Sequence, residues 1–95
     1  RYIRYFNTGE NFYINDLDIT PFKTPHDSAE SVGFSLYSGA RKLSIATDIG
    51  HINKRLLEQL RHSHILVLEA NHDMDMLLNP ILPLLNAEYW EITAI

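Results

Sequence analysis

Apolar and polar positions alternate along the first half of the chain and then change period. Phe12, Tyr13 and Ile14 form a short β-type run, Asn15-Asp16 reads as a tight turn, and residues 17–22 alternate with period two. That pattern predicts a hairpin, with Pro21 placing its second strand at an edge or near its end. Val32, Phe34 and Leu36 alternate with small or polar residues, as in a half-buried strand. Ser38-Gly39-Ala40-Arg41 is a turn, so residues 42–47 form the other arm of a second hairpin. After Gly50 the period lengthens. Ile52, Leu56, Leu57 and Leu60 fall on one helical face, with Lys54, Arg55, Glu58, Gln59 and Arg61 between them. Ile65-Leu66-Val67-Leu68 is a continuous apolar run, expected to be a strand covered on both faces. Residues 71–78 read as a short helix. Residues 79–95, with Pro80, Pro83 and Tyr89-Trp90, take no assigned element. The order is that of an α/β domain with a hairpin-rich start, in which a helix on one face of the sheet leaves the other face in need of cover.

Composition narrows the picture. Ninety-five residues, 45% of them hydrophobic, make one small globular domain. With no cysteine there is neither disulfide nor thiolate ligand. A net charge of −4 argues against a free-standing electrostatic nucleic-acid binder. It leaves room for a nuclease whose metal ions supply the positive charge at the phosphate. The apolar stretch 76–87 is short and broken by two prolines, so no membrane partner is expected. A first residue other than Met reads as a piece of something longer.

Candidate chemistry collects where runs end. His26 precedes the 32–37 strand and Asp48 follows the 43–46 run. If those strands are neighbours, an imidazole and a carboxylate come to one sheet edge, half of a transition-metal site. Taken singly, His26 also reads as a solvated loop residue, Asp48 as a helix N-cap, and His51 as a residue at the start of a helix. Glu69, Asn71 and His72 follow the buried-type strand, where α/β proteins place their sites. His62 and His64 flank a helix-to-strand turn and read as structural. Asp73 and Asp75 read as helix-start residues, and Met74 and Met76 as packing.

Three segments in order, Thr24-Pro25-His26-Asp27-Ser28-Ala29-Glu30-Ser31-Val32-Gly33-Phe34, Ala46-Thr47-Asp48-Ile49-Gly50-His51 and Leu68-Glu69-Ala70-Asn71-His72-Asp73, resemble the metallo-β-lactamase fold. The branch they resemble is the YycJ (WalJ, VicX) type of bacterial hydrolases. The resemblance covers residues 12–78 of a single partial domain, 1–95, and leaves 79–95 as a divergent tail. It implies an α/β piece, the C-terminal half of a four-layer αβ/βα sandwich. It also implies a metal-dependent phosphodiesterase similar to 5′→3′ DNA exonucleases, cytoplasmic, with DNA as partner and two divalent ions, zinc or manganese, as cofactors.

By the same resemblance His26 and Asp48 are metal ligands, with Asp48 bridging. Glu69 and His72 handle protons or phosphate. Asp27, His51 and Asn71 touch substrate. The H-x-H-x-D-H motif and the final ligand histidine of that fold are absent from the sequence. The piece is therefore expected to hold metal poorly, to be inactive alone, and to associate through an uncovered apolar face. A non-catalytic binding remnant and a tRNA-processing or cyclic-phosphodiester relative are the other expectations.

Overall fold

A computed structural model describes residues 10–24 and 31–94. Six strands form one sheet in sequence order. They are β1 (Phe12–Ile14), β2 (Leu17–Thr24), β3 (Ser31–Ser38), β4 (Arg41–Ile49), β5 (Ile65–Ala70) and β6 (Tyr89–Ala94). The first four pair antiparallel as a meander; β4, β5 and β6 run parallel. Helix α1 (Lys54–Leu60) supplies the β4–β5 crossover. Helix α2 (His72–Leu78) and a 3₁₀ turn at Leu82–Leu85 supply the β5–β6 crossover. The α/β class and both hairpins expected from the alternation are present. Among the described residues no helix is long and apolar enough to cross a membrane.

The helices share one face of the sheet. Leu56 and Leu60 of α1, Met74 and Leu78 of α2, and Leu82 pack in a single cluster with Phe22, Ala46, Ile49, Leu66, Leu68 and Ala70. Strand parity then assigns the other face to Leu36 and Phe34 of β3, Leu43 and Ile45 of β4, and Ile65 and Val67 of β5. These pair side by side in register and are half-buried. This corrects two expectations. The apolar run in β5 is buried on its helix side and half-buried on the other, because no described element lies on that second face. The uncovered apolar face expected of the piece does not include Phe22, Leu66 and Leu68, which sit in the helix-side core, and Ile19 is buried too.

Within the unassigned segment, residues 79–94 take regular structure. Its prolines confine it to a 3₁₀ turn, and Asn86, at φ +59°, turns the chain into β6. Trp90 and Ile92 of β6 pack against the core while Tyr89 and Glu91 face out. Pro21 lies in β2 beyond the last residue paired with β1, where β2 is an edge strand and admits a proline.

Polar groups fix the crossovers at both ends. Asn53 accepts from Leu56 N–H at 2.8 Å and caps α1. The other end of α1 has no basic residue in its last turn. Lys42, from the start of β4, takes that role, its Nζ donating to the carbonyls of Gln59 (2.7 Å) and Arg61 (2.8 Å). Burial holds its ammonium below the ordinary lysine range. His64 Nδ1 accepts from Lys42 N–H at 3.0 Å while His64 N–H donates to Lys42 C=O at 2.8 Å, so one residue clamps β4 to the start of β5. The structural role expected for His64 is met by this clamp rather than by the helix dipole. The buried hydroxyls of Ser44 and Ser63 bond at 2.7 Å beneath α1.

Arg41 reaches Glu88 with two hydrogen bonds, 3.1 and 2.7 Å, tying the start of β4 to the approach of β6. The Arg41 hydrogen bond, and secondarily its charge, holds the Glu88 carboxyl below the usual carboxylate range. A depressed carboxylate adds stability above its unfolded pKa and loses it as pH falls through the folded one. Stability is therefore expected to drop on acidification below pH ~4.5, by less in Glu88→Gln. Both side chains are exposed, so ~1 M salt should abolish the difference. Urea midpoints across pH 3–6 at low and high salt check this.

Candidate functional site at the carboxyl edge of the parallel strands

Strands β4 and β5 are parallel, so both deliver their carboxyl ends to one edge. Strand β2, antiparallel to β3, which is antiparallel to β4, also ends there, at Thr24. The Thr24 hydroxyl is buried and makes no hydrogen bond. His26 and Asp27 lie outside the described residues.

Asp48 owes its position to an irregularity. Ala46 pairs with Leu68 and Ile49 with Ala70, so Thr47 and Asp48 together stand opposite the single residue Glu69. This is a β-bulge, one extra residue in β4. Asp48 absorbs it in the left-handed region, φ +57°, which aspartate tolerates better than most side chains. The bulge buries both Ala46 and Ile49 on the helix side and leaves Thr47 and Asp48 exposed at the rim. Gly50 follows, then His51, exposed before the Asn53 cap.

From the neighbouring strand, Glu69 is half-buried on the helix-free face, opposite Thr93. The chain then turns at Asn71, whose side-chain oxygen accepts from Met74 N–H at 2.8 Å and caps α2. His72 opens α2 and is exposed, as are Asn71 and Asp73. The fold thus collects Asp48, His51, Glu69, Asn71 and His72 at one edge. Asn71 spends one lone pair of its carbonyl oxygen on the cap, which leaves its amide NH₂ and the second lone pair for a ligand. Asn71→Ala is expected to cost ~1 kcal/mol of stability, whereas Asn71→Asp keeps the cap and costs little. Thermal denaturation of the two variants distinguishes them.

Among the described residues no three His, Cys, Asp or Glu side chains converge so as to hold a metal ion. On the described residues alone the edge does not fit a metal centre, which needs three or four protein ligands. What it offers is an exposed carboxylate on a bulge, a half-buried carboxylate one strand away, and two imidazoles, a set suited to proton transfer and to contact with a polar substrate. The bulge was missed in the sequence. Its signal is the Thr47-Asp48 pair, which breaks the alternation of Lys42, Ser44 and Ala46 just before the apolar Ile49.

No family model matches the chain. The Zn²⁺-bound crystal structure of PqqB from Methylobacterium extorquens, a metallo-β-lactamase fold, superposes with a TM-score of 0.62 at 20% identity, over 76% of this chain and 30% of PqqB. The chain has the metallo-β-lactamase fold, as a segment of it.

Sequence similarity sets its type. Over 72 residues, 76% of the chain, it is 31% identical to exodeoxyribonuclease YycJ of Bacillus anthracis. Over the same share it is 25% identical to exodeoxyribonuclease WalJ of Streptococcus pneumoniae serotype 2. The segment is similar in sequence to exonucleases of the YycJ type. The chain spans about a quarter of the length of these curated relatives, 27% of each.

Proposed function

We propose that the chain is part of a metal-dependent phosphodiesterase that degrades DNA from a 5′ end in the cytoplasm, and that it is inactive by itself. The observation that carries this is the bulged end of β4 beside the end of β5, which presents Asp48 at the same edge as Glu69 and His72. The names of the YycJ and WalJ relatives supply the substrate, and the Zn²⁺ of PqqB supplies the kind of ion. Asp48 is the carboxylate this chain offers to a metal, with His26 expected beside it. Glu69 and His72 are placed for proton transfer or phosphate contact, and Asp27, His51 and Asn71 for substrate. Among the described residues too few ligands converge for a working centre, and the remaining ones are proposed to come from the part of the relatives' length that this chain does not span.

The helix-free face of the sheet supports a second element of this proposal, association with another copy. Its apolar side chains are half-buried with no described element on them.

Two measurements test the proposal. Calorimetric titration of the chain with Zn²⁺ or Mn²⁺ is expected to show no tight stoichiometric binding, and 5′-labelled DNA is expected to remain intact. Activity should appear when a segment carrying H-x-H-x-D-H from a YycJ-type relative is supplied in trans, and Glu69→Gln should then lower it about 10²–10⁴-fold. Reconstituted activity indifferent to Asp48→Asn and Glu69→Gln would reject the assignment. A complemented complex that binds DNA without cutting it would favour the binding-remnant alternative.

A further inference from the structure

The opposite edge of the sheet, where β4 and β5 begin, holds a groove of about 520 Å³. It lies about 20 Å from Asp48 along β4, at ~3.3 Å per residue. Tyr37, Lys42, Arg61, His62, His64 and Asn86 are among its lining residues. Two of them, His62 at φ +63° and Asn86 at φ +59°, hold the left-handed conformation without being glycine. They enter the groove from two different loops, each in the left-handed conformation that ends the helix before it.

The hydrogen bonds of the lining leave donors rather than acceptors. Lys42 is nine-tenths buried, and its Nζ spends two protons on the carbonyls of Gln59 and Arg61. An ammonium has three, so one remains, with the Tyr37 ring 5.8 Å away. His64 Nδ1 accepts from Lys42 N–H, which puts the proton of the neutral ring on Nε2 and makes that nitrogen a donor. Arg61 is exposed and forms no salt bridge with a carboxylate among the described residues. Glu58 is the one carboxylate in the lining, against Lys42 and Arg61, in a chain whose net charge is −4; Glu88, held by Arg41, also acts on His64 from outside the lining. The partial negative charge at the end of α1, which would repel an anion, is already met by Lys42.

We propose that this groove is a binding site for a phosphate group, free or at the end of a small molecule such as a nucleoside monophosphate, held by Arg61 as the planar fork with His64 Nε2–H and Lys42 as further donors. The site is independent of the chemistry at the carboxyl edge. It opens at the sheet's end and shares Lys42 and His64 with the apolar hollow of the helix-free face.

Equilibrium dialysis of the chain with radiolabelled inorganic phosphate, and separately with a nucleoside monophosphate, at constant ionic strength tests the site. Amide NMR shifts locate the ligand. Saturable binding with Kd on the order of 1 mM is expected, with shifts at His62, Ser63, His64 and Asn86. Arg61→Gln, an exposed substitution, should weaken it about tenfold or more, Glu58→Gln should tighten it, and Asp48→Asn should leave it unchanged. Tighter binding of the monophosphate assigns a nucleotide, and equal binding assigns the bare phosphate group. Absence of saturable binding, indifference to Arg61→Gln, or shifts confined to Asp48, Gly50 and His51 would overturn the proposal.

Discussion

Gly33→Ala is expected to destabilise the chain by about 1–3 kcal/mol and Gly33→Val by more. Gly33 pairs with Phe22 on β2 and with Ala46 on β4, and the Phe22 ring lies across it. A Cβ there would stand 2.5 Å from Phe22 Cζ, 2.7 Å from Phe22 Cε1 and 2.9 Å from the Ile45 carbonyl oxygen. The carbonyl belongs to a hydrogen-bonded strand and cannot yield, so the ring must. Phe22 belongs to the core cluster, and displacing it opens space against its neighbours there. A domain of this size has about 5–15 kcal/mol in all, so the loss is a large fraction of it. A double-mutant cycle measured by urea unfolding checks the mechanism. Phe22→Leu, which shortens the side chain over Gly33, should cost less in the Gly33→Ala background than in the parent, with a coupling of ~1 kcal/mol or more. Strict additivity would show that ring and glycine do not meet as described.

The second large effect concerns association. The helix-free face carries Phe34, Leu36, Leu43, Ile45, Ile65 and Val67 in adjacent registered pairs, flanked by Leu17 and a small apolar hollow. A contiguous apolar patch of this kind is the usual mark of an interaction surface. A second copy brings the same face, so a two-fold dimer would bury it on itself. Sedimentation velocity at micromolar concentration is expected to show dimers or larger species. Ile45→Lys, at the middle of the patch, should raise Kd by about 30-fold or more, equivalent to the ~2 kcal/mol of a central contact. A clean monomer with one cooperative thermal transition would show that the chain is self-sufficient and that this face needs no cover.

How much of this was legible in the sequence depended on whether neighbours or distant contacts decide a residue's place. The hairpins and α1 were legible because alternation and helical spacing are local. Strand β6 was not, since only Trp90 and Ile92 mark its inner face and the preceding prolines hide its start. The continuous run in β5 looked doubly covered because apolar composition does not reveal whether a second layer is present. At the site, the shared edge of Asp48 and Glu69 followed from reading β4 and β5 as ends of parallel strands. The bulge and the Asn71 cap leave only short local signals, a Thr47-Asp48 break in the alternation and an Asn ahead of a helix, and these become readable once the strand ends are fixed. The pairing of Lys42 with His64 escaped notice because it joins residues brought together only by the crossover. The joint placement expected for His26 and Asp48 falls outside the described residues.

The bulge at the end of β4 has a bearing on what the sequence can vary. A strand reads its side chains by parity, and every residue added or lost beyond a point inverts all that follow. With Thr47 and Asp48 opposite one partner residue, the count is reset just before the chain leaves the sheet. Ile49 keeps its place in the interior whatever side chains occupy the two rim positions. The rim is thereby insulated from the core: Thr47 is open to exchange by point substitution and Asp48 to exchange for residues that tolerate the left-handed region, whereas loss of one of the two would restore plain alternation, keeping Ile49 inside but removing the bulge that presents the carboxylate.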